Sequence, residues 1–117
     1  MASSGLSGPF ALTTAGVATA VAEVSPGAYA LGYTGTDGKF YIQYVGRSDD
    51  DVRKRLKDWV PTNYAQLQFK FSYFPSAKSA FEKECNLYHD FTPTWNSIHP
   101  ARPRNANWEC PRCSIFD

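Results

Sequence analysis

The chain has 117 residues, with 12 Lys and Arg against 11 Asp and Glu, so its net charge of +1 gives no global basic field for nucleic acid. That length suits one domain with one modest core, filled largely by large aromatic side chains. No apolar run approaches the roughly 20 residues of a transmembrane helix, and three cysteines without a basic N-terminal region suggest neither export nor a disulfide framework. The expected setting is therefore a reducing cytoplasm, with no membrane partner.

Residues 1–9 are small and polar with Gly and Pro, and read as a flexible lead. Thr13 or Thr14 then caps a short helix in which Val17, Val21 and Val24 recur at helical spacing before Ser25-Pro26. The valines lower helix propensity, so a strand is the competing reading. Residues 28–34 and 40–46 are rich in β-formers and flank Gly35-Thr36-Asp37-Gly38, a hairpin pattern. Strict alternation would put Tyr29, Leu31 and Tyr33 on one face of the first strand, and Phe40, Ile42 and Tyr44 on one face of the second. Ser48 and the aspartates after it suit the start of a helix. That helix carries Val52, Leu56 and Trp59 on one stripe and ends near Pro61.

Residues 65–74 alternate cleanly, with Leu67, Phe69, Phe71 and Tyr73 on one face, and predict a half-buried antiparallel strand. Ser76 caps a helix over 77–91, whose apolar stripe carries Ala77, Phe81, Tyr88 and Phe91. Glu84 lies on that stripe, where a carboxylate is costly unless paired or metal-bound. Thr92-Pro93-Thr94-Trp95-Asn96 reads as a turn, with Asn96 either holding the chain to the sheet or reaching a phosphate.

The tail is rich in Pro and irregular. Its Cys110-Pro111-Arg112-Cys113 is half of a zinc site. Cys85 and His89 stand at i and i+4 on the preceding helix, so Cys85, His89, Cys110 and Cys113 form a Cys3His set for a structural Zn2+. His99 is a rival for the fourth position, and a buried Cys85 with two free tail thiols is the alternative. Basic residues crowd two segments: Arg47, Arg53, Lys54, Arg55 and Lys57, then Arg102, Arg104 and Arg112. Charge alone allows a solvated face as readily as a phosphate-facing one.

Gly27-Ala28-Tyr29 and Tyr44-Val45-Gly46 sit on the two hairpin strands, Arg55 follows on the next helix, Glu84 on a later one, and Asn96 after Pro93. In order and spacing over residues 27–96 this resembles the GIY-YIG nuclease family. Ala28 and Val45 replace the apolar isoleucines of the two tripeptides, the spacer between them is a few residues longer, and Trp59 stands where many relatives carry His or Tyr. The resemblance implies an α+β fold with a three-stranded antiparallel sheet flanked by helices. Residues 1–26 would be the lead and short helix, 27–98 the nuclease-like core, and 99–117 a tail fixed to it.

It further implies a metal-dependent endonuclease acting on DNA, with RNA open. Glu84 would hold one Mg2+ or Mn2+. Tyr29 would be the general base, its pKa lowered by nearby cationic charge, and Tyr44 would orient water or phosphate. Arg55 would stabilise the phosphoryl charge, Asn96 would support the site, and Gly46 and Arg47 would meet the substrate backbone. The alternatives are a non-catalytic nucleic-acid-binding module on the same scaffold and a zinc-nucleated interaction domain.

Overall fold

In the computed structural model, which describes residues 4–63 and 66–116, the strands are β1 (Ser7–Ala11), β2 (Gly27–Thr34), β3 (Phe40–Ser48) and β4 (Gln68–Tyr73). The helices are α1 (Thr14–Ala20), α2 (Val52–Trp59) and α3 (Ala77–Phe91), and a 3-10 turn, Val60–Thr62, follows α2. The fold is α+β: one antiparallel sheet in the order β1-β4-β2-β3, with α1 and α2 over one face and α3 over the other. Met1–Ser3 of the expected lead, Ala65 at the start of the expected 65–74 strand and Asp117 of the tail lie outside the described residues.

β2 is central and is buried on both faces from Gly27 to Gly32. Tyr29 and Leu31 join Val17, Val52, Leu56, Phe69 and Phe71 in the core under α1 and α2, while Ala28, Ala30, Val45 and Leu87 form the smaller core under α3. The period-two reading of β4 holds: Leu67, Phe69 and Phe71 all turn inward. Each fully buried Phe or Leu contributes on the order of 2–3 kcal/mol by leaving water. α1 does form, capped by Thr13, whose hydroxyl accepts from the Gly16 N–H at 2.9 Å. It stops at Ala20, short of Val24, which is exposed. α3 runs over the expected range, with Ser76 and Ser79 reciprocally bonded in a capping box.

Four expectations need correction. The sheet has four strands rather than three, because residues 7–9 of the expected 1–9 lead join Phe10 and Ala11 in an edge strand that pairs with β4. Phe10 supplies the reason: its ring packs on Phe69 and Phe71 at centroid separations of 5.5 and 6.0 Å. Second, Phe40 and Ile42 do not share a face with Tyr44. A bulge pairs Leu31 with Tyr44 but Gly32 with Ile42, so Gln43 is the extra residue. Tyr44 therefore faces the α1/α2 core, while Phe40 and Ile42 face α3. Third, α2 is capped by Asp51, whose carboxylate accepts from the Lys54 N–H, and Ser48 instead bonds the N–H groups of Asp50 and Asp51 in the turn before it. Fourth, the expected α3 stripe is displaced. The helix buries Ala80, Phe81, Glu84, Cys85 and Leu87, whereas Ala77, Tyr88 and Phe91 are only half-buried.

Candidate functional site

Six of the seven residues expected at the hydrolytic site meet at one end of the sheet. Tyr29, Tyr44, Gly46, Arg47, Arg55 and Glu84 line a single open cavity of about 240 Å³, together with Asp49 and Ala101. β3 is the edge strand, so groups from both faces of the sheet reach this point. Tyr29 and Tyr44 come from the α1/α2 face. Arg47, which pairs with Ala28 across the ladder, comes from the α3 face with Glu84.

Gly46 is what lets the first phenol through. It lies opposite Tyr29 in the ladder, and a Cβ at position 46 would stand 2.5 Å from the Tyr29 hydroxyl oxygen. Absence of that carbon gives the fully buried ring a path to the cavity wall. The Tyr29 oxygen accepts a hydrogen bond from Trp59 Nε1 at 2.8 Å. Trp59 thus gains a role that composition alone did not show: it orients the phenol, and its ring packs on Tyr44 at 5.0 Å. The Arg55 guanidinium lies close enough to act on both phenols.

The expectation that Tyr29 has a lowered pKa is overturned. Burial outweighs the Trp59 and Arg55 donors and pushes the phenol up to about 12. Tyr44 is raised as well, by burial first and then by the negative charge of Glu84. Glu84 is itself raised, because its burial exceeds the opposing pull of Arg47.

Arg47 bridges two carboxylates. Its Nη1 donates to Glu84 Oε1 at 2.7 Å and its Nε to Asp49 Oδ1 at 2.8 Å. The Arg47–Glu84 pair is nearly sealed, with side-chain exposures of 12% and 9%, which explains how a carboxylate is tolerated on the inner stripe of α3. Glu84 Oε2 has no hydrogen-bond partner among the described residues and is not closed off from solvent. Sequence reasoning missed Asp49; its spacing two residues after Arg47, at the exit of β3, was the available sign.

Asn96 does not line the cavity. Its Oδ1 accepts from the Val45 N–H at 2.8 Å and its Nδ2 donates to the Val45 carbonyl at 3.0 Å. Of the two roles open to it, Asn96 holds the chain to the sheet: it closes the free edge of β3 one residue before Gly46.

The second cluster joins the end of α3 to the tail. His89, His99, Cys110 and Cys113 each offer a ligand atom, all within 4.8 Å of one another, so this His2Cys2 set could bind a metal such as zinc. His99, rather than Cys85, fills the set. Cys85 is fully buried against Phe81 and Cys110, where the apolar surroundings push its thiol well above the ordinary range. A thiolate is disfavoured there, and Cys85 packs on Cys110 without joining the four ligand atoms. Cys110 is buried too, but hydrogen bonds from the Arg112 N–H, His99 and its cysteine neighbours outweigh that burial and hold it below the usual thiol range.

Comparison of the chain with protein-family models, curated proteins and solved structures gives no match.

Proposed function

We propose that this protein is a GIY-YIG-type endonuclease that hydrolyses phosphodiester bonds in DNA with a divalent cation. One observation carries the reading. Two phenols, two guanidiniums and a carboxylate, spread from position 29 to position 84, converge on one open polar cavity. Ordinary core packing has no need for five such groups at one place.

The donor set fits a hard cation. Glu84 keeps one carboxylate oxygen without a partner among the described residues, Asp49 adds a second carboxylate to the cavity, and Mg2+ or Mn2+ is commonly held by one or two carboxylates with water and substrate phosphate. When bound, the ion would polarise the phosphoryl group and lower the pKa of oxygens beside it. The other work falls to the chain itself. Arg55 presents forked donors to the phosphoryl oxygens, and Arg47 holds Glu84 in place while facing the same cavity. Tyr29 accepts the proton of the attacking water. Its oxygen is met by the Trp59 N–H and the Arg55 guanidinium, two donors that favour the phenolate against the burial that opposes it. Tyr44 orients the water or the phosphate.

A second, softer ion belongs to this reading: Zn2+ in the His2Cys2 cluster as a structural element. So does a cytoplasmic setting, which suits three unpaired cysteines. Among the described residues no helix is long and apolar enough to cross a membrane.

The rival reading, a nucleic-acid-binding module without hydrolysis, draws on the ion pair that already neutralises Glu84. A nicking panel over single-stranded, duplex and branched DNA and RNA separates the two, run with Mn2+ or Mg2+ added or omitted rather than chelated. Hydrolysis predicts cation-dependent cleavage that Glu84→Ala reduces by about 10³-fold or more, with the circular dichroism spectrum kept. Undiminished cleavage by clean Glu84→Ala protein would remove Glu84 from the mechanism. Salt-dependent binding without cleavage of any substrate would establish the module instead.

A further inference from the structure

The geometry points to more than a tolerant set of ligands at His89, His99, Cys110 and Cys113. We infer that a zinc ion there is the clasp that holds the tail, through Ala101, as one wall of the hydrolytic cavity. The consequence for substrate rests on the function proposed above; the clasp itself does not.

The distances suit zinc. His89 Nε2 stands 3.4 Å from Cys110 Sγ, and His99 Nε2 stands 3.4 Å from Cys113 Sγ. A tetrahedral zinc with Zn–S of about 2.3 Å and Zn–N of about 2.05 Å has an S···N edge of roughly 3.5 Å. The secondary contacts suit it as well. A carbonyl only accepts, so the 2.9 Å contact of His99 Nδ1 with the Pro100 oxygen makes Nδ1 the donor and leaves the Nε2 lone pair for the ion. The Arg112 N–H donates to Cys110 Sγ at 3.4 Å, which favours a thiolate. Tyr88 packs against both imidazoles, and the two rings lie 5.3 Å apart, so their orientations are fixed by packing.

The topology supplies the function of the ion. His89 is the one ligand on a regular element; the other three lie in a tail without helix or strand. Apart from the cluster, the tail is tied down by the Arg112–Asp90 ion pair at 2.6 Å and by apolar contacts of Trp108 and Phe116 with Phe81. Ala101, two residues after His99, lines the cavity. Glu84 precedes His89 by five residues on α3, about 7.5 Å along the helix axis. One ion at His89 therefore ties the segment that walls the cavity to the helix that carries the carboxylate.

The test uses the full chain purified without chelator, then stripped, then reloaded with Zn2+ alone. Metal content, alkylation of Cys110 and Cys113, tryptic cleavage after Arg104 and Arg112, affinity for DNA without Mg2+ and DNA cleavage with it are measured in each state. The expected results are about one zinc per chain and a rise of about tenfold or more in alkylation and tail cleavage on stripping, reversed by Zn2+. DNA affinity should weaken with stripping, and His99→Ala should behave as the stripped protein while Cys85→Ala keeps its metal. Absence of zinc, or a tail equally protected with and without it, would overturn the clasp. If the tail is released but cleavage and DNA affinity do not change, the link to the cavity fails and the nuclease stands. If zinc protects the tail but no polynucleotide is cut under any condition, the nuclease fails and the clasp stands.

Discussion

The cavity that Glu84 lines and the cluster around His89 are built in opposite ways. In the oxygen-rich cavity, the predicted groups lie on regular elements: Tyr29 on β2, Tyr44, Gly46 and Arg47 on β3, Arg55 on α2 and Glu84 on α3. Their orientations are set by protein partners, Trp59 for Tyr29 and Arg47 for Glu84. In the sulfur and imidazole cluster, one ligand lies on a helix and three on irregular chain. A site on rigid elements can be assembled before any ion arrives, whereas a site on a tail needs either dense packing or the ion to hold it. The first is thus suited to chemistry, and the second to fastening.

The sharpest way to break this contrast is to ask whether the preassembled phenol matters. Tyr29→Phe removes the proposed proton acceptor and should lower cleavage by about 10²–10⁴-fold. Below its pKa the phenolate fraction grows about tenfold per pH unit, so the wild-type rate should climb with pH and the Tyr29→Phe rate should not. A second readout does not depend on hydrolysis. The folded pKa of about 12 lies above the ordinary 10, so neutral Tyr29 adds stability that is complete below pH 10 and is lost as pH rises through 12. Two units correspond to about 3 kcal/mol. The melting temperature of the wild type should fall more steeply between pH 10 and 12 than that of Tyr29→Phe; parallel curves would show that the phenol is not held as described.

A smaller effect probes the backbone rather than the proton. Gly46→Ala adds a methyl group 2.5 Å from the Tyr29 oxygen, so the fully buried ring must shift to admit it. Overpacking of this kind typically costs about 1–3 kcal/mol. Cleavage should fall because the Trp59 bond is broken, and the Trp59 fluorescence should shift, while zinc content stays the same. An unaltered Trp59 signal with full activity would mean that the close approach at Gly46 serves no purpose.

Periodicity made the first region legible and the second only half so. The alternation of Leu67, Phe69 and Phe71 and the cap at Ser76 located β4 and α3, and with α3 the carboxylate of Glu84. The bulge at Gln43 was not legible, because strict alternation contains no sign of an inserted residue, and it turned Phe40 and Ile42 to the opposite face from Tyr44. β1 escaped because Pro and Gly dominate residues 5–9 and its anchor is the single ring of Phe10. Cys85 was favoured as a ligand because i,i+4 spacing with His89 is a helical rule, and no comparable rule governs His99 on irregular chain. That Ala101 would wall the cavity left no trace in the sequence at all.

The smallest expected effect tests where the two regions join. Asn96 uses its whole amide on Val45, one residue before Gly46, and so seals the outer edge of β3 between the cavity and the start of the tail. Asn96→Ala leaves the Val45 N–H and C=O to water at a partly open edge, so the loss should be about 1 kcal/mol for each hydrogen bond, about 2 in all, read as a lower denaturation midpoint. If the amide acts only by holding β3, cleavage at saturating substrate should fall less than about tenfold, and the slope of rate against pH should not change, since that slope belongs to Tyr29. Zinc content should also hold, because none of the four ligands depends on the Val45 edge. A loss of cleavage as deep as that of Glu84→Ala, with the midpoint unchanged, would instead make Asn96 part of the chemistry and move the boundary of the catalytic region into the tail.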